Sequence, residues 1–282
     1  MTGVYHRRGR RDGEAVVVDD WATIRAAGAL LEDEAVLALA KPAGISVVGE
    51  RHDTDLVTLA RDAGEWLLPV HRIDKVTSGV VLLAKRPWAH AELTRQFQQR
   101  SARKLYLAVT RSRGLPERGA IDLPLRIGRK NRVRVAGPRE AIVADEAGGR
   151  WSLRSSEEPA GGGSYPSRTL FARLWEGSDR TLLLVRPVSG RRHQIRVHLA
   201  WIGHPIAGDP LFPDRSGEPA PRTALHAWRI SFEAPWSGDA RVEVEAPPGE
   251  DFWACLGGGA DRFDPALLDS AAGELSDRAA AD

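Results

Sequence analysis

Short apolar runs, each closed by proline, glycine or charge, set the rhythm of this chain. Ala35 to Ala40 is apolar throughout and stops at Lys41-Pro42-Ala43-Gly44, the pattern of a strand ended by a tight turn. Val80 to Ala84 predicts a second strand, and Pro87 suits the first turn of a helix in which Ala89, Leu93 and Phe97 recur every four residues. Leu105 to Val109 returns to an extended pattern. Beyond Arg111 the chain reads as loop until strands around Arg132 to Val135 and Thr169 to Leu174, and Thr181 to Val185 is the clearest late strand. Ile195, Leu199 and Ile202 then fall at helical spacing, with Gly203 as the stop. Arg241 to Ala246 alternates before Pro247-Pro248. Several strands interrupted by two or three helices predict an α+β fold on a mixed or antiparallel sheet.

The ends and one internal stretch do not share this rhythm. Residues 1–30 read as a basic N-terminal arm and short extension, with Glu14 to Val18 a strand candidate; 31–249 read as the main domain, and 250–282 as an acidic C-terminal extension. Ala144 to Ser164, dense in Gly, Ser, Glu and Ala, is expected to be a flexible insertion. The last thirty or so residues are expected to be peripheral, although Phe252 to Leu256 could dock on the core.

Charge adds a distribution rather than a total. Forty Lys and Arg against 38 Asp and Glu leave +2, too little to indicate nucleic acid. The positive residues cluster, however, at Arg7, Arg8, Arg10 and Arg11 and again at Arg126, Arg129, Lys130, Arg132, Arg134 and Arg139, so a polyanion could be gripped locally. Cys255 is the sole cysteine, which excludes an intrachain disulfide or a cysteine-based zinc cluster and favours an intracellular, cytoplasmic setting. No signal-peptide pattern follows the basic N-terminus and no apolar run approaches eighteen residues, so no membrane partner is expected. Nothing points to an obligate protein partner.

Three stretches carry candidate chemistry. The first is His71-Arg72-Ile73-Asp74-Lys75-Val76-Thr77-Ser78-Gly79, directly before the Val80 strand. A carboxylate on a turn ahead of a buried strand has a rigid mount and remains accessible, and the cations Arg72 and Lys75 can keep it ionised as a nucleophile or base. A loop cap would use the same residue. In the second, Arg103-Lys104-Leu105-Tyr106-Leu107-Ala108-Val109, alternation puts Lys104, Tyr106 and Ala108 on one face; Tyr106 is either a core residue or a platform for a base. The third is Arg186-Pro187-Val188-Ser189-Gly190-Arg191-Arg192-His193-Gln194-Ile195-Arg196-Val197-His198-Leu199-Ala200, a loop offering Arg191 and Arg192 to phosphate ahead of a helix. His193 and His198 have no evident carboxylate co-ligand, so no metal is expected. Asp209, His204 and His226 are read as structural hydrogen-bonding groups, and Gly208 as a turn residue.

Taken in order, the three stretches resemble the motifs of the ribosomal large subunit pseudouridine synthase A family, His-Arg-Leu-Asp, Lys-x-Tyr-x-Ala and Thr-Gly-Arg-x-His-Gln-Ile-Arg-Val-His-Leu. Ile73 stands in for the family's leucine and Ser189 for its threonine. The resemblance runs from about Leu31 to Pro247. It implies the pseudouridine synthase core, an α+β fold with a largely antiparallel, bifurcated sheet, and conversion of uridine to pseudouridine in structured RNA without a cofactor. It implies Asp74 as nucleophile, Tyr106 packing on the base and Arg196 pairing with Asp74. Arg72 would help displace the target nucleotide, because a stacked nucleotide cannot present its glycosidic bond. Arg129, Lys130, Arg132, Arg191 and Arg192 would bind RNA, ribosomal ahead of transfer RNA. The alternative from another class is a noncatalytic module for structured RNA; a two-carboxylate hydrolase lacks the second acid, and a serine hydrolase lacks the nucleophile elbow.

Overall fold

The computed structural model describes residues 20–49, 54–128, 131–154, 163–214, 218–238, 240–257, 264 and 266–280. The Arg7 to Arg11 arm, the Glu14 to Val18 strand candidate, and Arg129 and Lys130 lie outside the described residues. In chain order the elements are α1 (Trp21–Gly28), β1 (Ala29–Glu32), β2 (Val36–Lys41), α2 (Leu56–Asp62), β3 (Leu68–Pro69), β4 (Ser78–Ala84), α3 (Pro87–Gln99), β5 (Arg103–Thr110), β6 (Arg118–Asp122), β7 (Leu125–Ile127), β8 (Val133–Val135), β9 (Ile142–Ala144) and β10 (Arg150–Leu153). They continue as β11 (Ser164–Tyr165), β12 (Arg168–Glu176), β13 (Thr181–Pro187), α4 (Gln194–Trp201), β14 (Leu225–Ala234), β15 (Ala240–Glu245), α5 (Glu250–Trp253) and α6 (Ala266–Ala280).

One long sheet runs in the order β1-β2-β4-β14-β5-β13-β12-β6-β10-β9, with β3 on β4 and β15 on β14; β11-β7-β8 form a separate small sheet. Its pairs are antiparallel apart from β4 with β14 and β6 with β10, so the mixed, largely antiparallel α+β expectation holds. The alternation of β2 and β4 explains why their sequences read as unbroken apolar runs. Leu37, Leu39, Val81 and Leu83 enter one core, while Val36, Ala38, Val80, Leu82 and Ala84 enter another on the opposite face. Helix α3 covers the second core with Ala89 and Leu93. Its buried stripe is completed by Gln96 rather than Phe97 alone, because the Gln96 amide pairs with both the N–H and the C=O of Glu233 and so satisfies the β14 backbone.

The sheet forks at the start of β4. There β14 meets β4 only at His226–Ala227 opposite Ser78–Gly79, and from Arg229 onward that edge is taken by β15. Gly79 makes the crossing possible. Its φ is +109°, and a Cβ would lie 2.1 Å from the Ala227 carbonyl oxygen. Ser78 and Gly79 already belong to the strand, which starts two residues earlier than the Val80 expected from the apolar run.

Several stretches depart from expectation. The stretch beyond Arg111, read as loop, holds β6 and β7. Within Ala144 to Ser164, residues Arg150–Leu153 form a strand that pairs in parallel with β6 and buries Leu153; a two-residue apolar alternation, Trp151 and Leu153, is too short to stand out against its polar surroundings. The docking of Phe252 to Leu256 on the core agrees with expectation, whereas the rest of the C-terminal stretch, expected to be peripheral, is not. Phe252, Cys255 and Leu256 are buried, and α6 lays Ala271, Ala272 and Leu275 on the core at helical spacing, hidden in the sequence by an Ala- and Asp-rich composition. Helix α1 likewise buries Trp21 and Ile24 in the same core.

Gly79→Ala is expected to cost about 3 kcal/mol, through the backbone clash and the unfavourable φ, and to lower Tm by roughly 10 °C. Thermal denaturation followed by circular dichroism measures this, and an unchanged Tm would mean that the fork tolerates a wider crossing.

Candidate active site

The turn that ends in β4 is pinned from below. Ile73 is buried in the core, and Thr77 N–H donates to the Asp74 carbonyl at 3.0 Å. The Lys75 carbonyl accepts from Gly44 N–H at 2.8 Å and from Lys41 Nζ at 3.4 Å. Lys41, 1% exposed, also donates to the carbonyls of Pro42 and Ile45, each at 2.7 Å. Burial, then the charge of Arg222, pulls its pKa down to about 7, against the opposing pull of Asp74. The strand-ending turn at Lys41 to Gly44 thus becomes a clamp on the turn of Asp74. The sequence held one clue, a lysine closing an apolar run, but not its partner.

His71 anchors the other side of this turn. Its Nε2 accepts from Leu82 N–H at 3.0 Å and its ring stacks on Phe97 at 4.7 Å. Ser78 and His226 close the base of the fork: Ser78 Oγ donates to His226 Nδ1 at 2.6 Å, His226 Nε2 donates to the Ala246 carbonyl at 2.7 Å, and Arg222 donates to Ser78 Oγ at 2.7 Å. Every polar atom of that chain is matched by one neutral tautomer.

Helix α4 brings the second half of the centre. Gln194 ties its leading loop to β12: the side-chain oxygen accepts from Ser189 Oγ at 2.7 Å and Arg191 N–H at 3.0 Å, and the amide nitrogen donates to the Arg168 carbonyl and to Thr169 Oγ1. His198 is buried within α4 and bonded to Thr169 Oγ1 and the Leu123 carbonyl, far from the role of a ligand. His193, at left-handed φ of 55°, turns its Nε2 to 3.7 Å from Asp74 Oδ1. Burial lowers its pKa, with Asp74 acting in the opposite sense.

Arg196 is 2% exposed and forked between two carboxylates. Nε and Nη2 donate to the two oxygens of Asp209, each at 2.7 Å, and Nη1 donates to Asp74 Oδ2 at 2.8 Å. Asp209 Oδ1 also accepts from the N–H groups of Leu211 and Phe212, which hold the carboxylate in place. Burial alone would disfavour the guanidinium charge, but hydrogen bonds and charge from Asp209, then Asp74, raise its pKa above the usual arginine value. Asp209 owes its position to the Gly208 turn, where φ is +68° and a Cβ would strike the Arg222 carbonyl at 2.2 Å. His204, bonded to Ser112 Oγ, holds the start of the same turn.

The structure therefore brings Asp74, Arg196 and Tyr106 together. Tyr106 is buried on β5, and burial, then the Asp74 charge, holds its phenol protonated well above the ordinary value. Arg72 is exposed beside Asp74 without contacting it. Arg191 and Arg192 are exposed on the loop before α4, with Arg191 over the Tyr165 ring at 5.0 Å. Arg132 lies at the exposed end of the β7–β8 hairpin. Arg139, part of the same basic run, instead caps the C-terminal end of α4 through the Ala200 carbonyl and covers Trp201.

His71, with a pKa lowered by burial to about 3, and His198 and His226, lowered by burial to about 4, are neutral in the fold. An unfolded chain protonates them below about 6.5, so their contribution is intact above that pH and lost on acidification toward 4, at up to about 1.4 kcal/mol per pH unit for each. Urea unfolding should accordingly give a lower midpoint at pH 5 than at pH 7. A midpoint unchanged between the two would mean that these rings are not held neutral.

Comparison with known proteins gives the family. A family model described as RNA pseudouridylate synthase matches residues 35–201. Ribosomal large subunit pseudouridine synthase D of Nitrosomonas europaea is 35% identical over 243 residues, 80% of this chain and 63% of that protein, so the chain spans less than two-thirds of that relative. Dual-specificity RNA pseudouridine synthase RluA of Escherichia coli is 31% identical over 223 residues, 77% of this chain and 91% of the relative. The solved human RNA pseudouridylate synthase domain containing 4 shares the fold, with a TM-score of 0.65 at 21% identity over 84% of this chain and 94% of that one. With half the chain or more covered by the family model and the paired Asp74 and Arg196 inside it, this chain belongs to the RNA pseudouridylate synthase family.

Proposed function

We propose that this protein isomerises uridine to pseudouridine in structured RNA, with Asp74 as the nucleophile. The observation that carries the reading is the carboxylate of Asp74, mounted on a clamped turn and held by a guanidinium that a second carboxylate fixes in place. A charged, oriented and partly accessible carboxylate is what attack on a nucleotide requires. The glycosidic bond from nitrogen breaks, the uracil turns, a carbon takes its place on the ribose, and a proton moves from that carbon to nitrogen. Composition and oxidation state do not change, so the reaction calls for no redox agent.

Tyr106 packs against the base and assists the proton movement; its high pKa keeps the hydroxyl a donor. Arg72, exposed next to Asp74, occupies the space left by the displaced nucleotide. Arg191, Arg192 and Arg132, with Arg129 and Lys130, hold phosphates. We place ribosomal RNA ahead of transfer RNA as the substrate, a reading supported by a relative named for the ribosomal large subunit, and the enzyme in the cytoplasm. Among the described residues no helix is long and apolar enough to cross a membrane.

Asp74→Asn keeps an oxygen acceptor for Arg196 but removes the nucleophile. Turnover on cellular RNA should fall at least about 10³-fold, with RNA affinity and Tm nearly unchanged. Near-normal pseudouridine formation by this variant would sink the assignment, and a wild-type protein that binds ribosomal and transfer RNA but modifies neither would favour the noncatalytic RNA-binding module.

Asp209→Asn tests the support for Arg196. It should lower kcat by about 10- to 100-fold through loosened positioning, with KM for RNA little moved, and should lower Tm because a buried ion pair loses one partner. A drop in RNA affinity with kcat intact would mean that Asp209 shapes the RNA surface instead of Arg196.

A further inference from the structure

A cavity of about 670 Å³ opens where the start of β5, which carries Tyr106 further along, meets the end of β13. Its walls carry Arg100, Arg103, Lys104, Arg168 and Arg186 against one acid, Asp122. That acid is already paired, with Arg150 at 2.7 Å and Arg168 at 3.3 Å. Arg100, Arg103, Lys104 and Arg186 have no carboxylate within 4.0 Å among the described residues. Arg186 is fixed through a 2.8 Å hydrogen bond from Nη1 to the Leu275 carbonyl of α6. Its charge is disfavoured by burial and then by the neighbouring charge of Arg103. Lys104, its pKa drawn down to about 8 by burial, has its ammonium beside Phe97 at 5.6 Å and next to Gly190, where a Cβ would come within 3.2 Å of Nζ. A cavity that gathers like charges, holds one of them rigidly and offers them no counter-charge is complementary to an anion.

The size and position of the cavity select among anions. Its volume is within the range for ligand pockets and well above that needed for an isolated phosphate. Pro124, Pro166, Pro187 and Val188 add apolar wall on which a ribose or base can lie. Lys104 and Tyr106 share a face of β5 two residues apart, about 7 Å along the strand. A nucleotide joined to one whose base packs on Tyr106 therefore reaches the cavity directly.

We propose that this cavity is a second nucleotide subsite, which takes the RNA nucleotide adjoining the target uridine and binds the phosphodiester between them through Arg103, Lys104 and Arg186. The subsite gives the enzyme a grip on the strand at the point where the target leaves its stack. It rests on the reading of the protein as an RNA pseudouridine synthase, but its test is read from binding, so the two can fail separately.

Arg103 is exposed and has no side-chain partner among the described residues, so Arg103→Gln leaves the fold alone. Arg186→Lys, which keeps charge and a donor for α6 but loses the planar fork, is the second variant. Each is titrated with a synthetic RNA hairpin carrying one loop uridine, and with two copies in which an uncharged methylphosphonate replaces the linkage on one or the other side of that uridine. For the wild type, one neutral linkage should weaken binding about tenfold, the loss of one charge-assisted contact. Arg103→Gln should bind the unmodified hairpin about tenfold more weakly, with a salt slope lower by about 0.7 to 0.9, and should lose little more when that same linkage is neutral. Wild-type affinity indifferent to both linkages, or losses from variant and linkage that simply multiply, would overturn the subsite. A hairpin that shows the coupling yet is never modified would count against the isomerase reading while leaving the subsite standing.

Discussion

The centre depends on one buried guanidinium. Arg196 has almost no contact with solvent, and a charge in that position is tolerable only if its donors are met. Asp209 meets two of them in a bidentate fork and is itself held by two backbone N–H groups on Oδ1, which fixes the plane of the guanidinium. The remaining direction points at Asp74. The carboxylate is thereby oriented by a group that cannot rotate away, and it remains partly open to a substrate because the turn bearing it projects from the sheet rather than lying within it.

That arrangement explains several features that look unrelated in the chain. The fork at Gly79 parts two strands and leaves the preceding turn at the split. Lys41 and Gly44 hold the turn by its Lys75 carbonyl, Ile73 plugs it into the core, and His71 ties its entrance to β4. On the opposite side, Gln194 fixes the loop that starts α4, and the Gly208 turn delivers Asp209. Much of this support is neutral or carbonyl-based. Charge is thus concentrated where a nucleotide would meet it, at Asp74 in the centre and on the arginines and Lys104 around it.

The cations divide by the same logic. Some of the basic residues are spent on structure: Arg139 caps α4 and Arg222 braces the fork. Others, including Arg72, Arg103 and Arg192, remain exposed. Linear clustering does not distinguish the two groups, because a capping arginine and a phosphate-binding arginine have the same sequence appearance.

The sequence by itself determined the strands and helices whose burial is dictated by local pattern: β2, β4, α3, β5, β13 and α4 all follow from apolar runs or helical spacing, and the motif order led to Asp74, Tyr106 and Arg196. It also carried the turn glycines, since Gly208 sits where a side chain could not. Only the tertiary structure decided the rest. The strand β10 and helix α6 have weak patterns of their own and are stabilised by surfaces supplied from β6, β12 and β13. Lys41 became a clamp, Gln96 a backbone partner and Asp209 the holder of Arg196 through contacts across 34, 137 and 13 residues of chain. Periodicity reports which face of an element is apolar, whereas the partner of a buried polar atom is set by what the fold places opposite it, and that is a property of the assembled sheet.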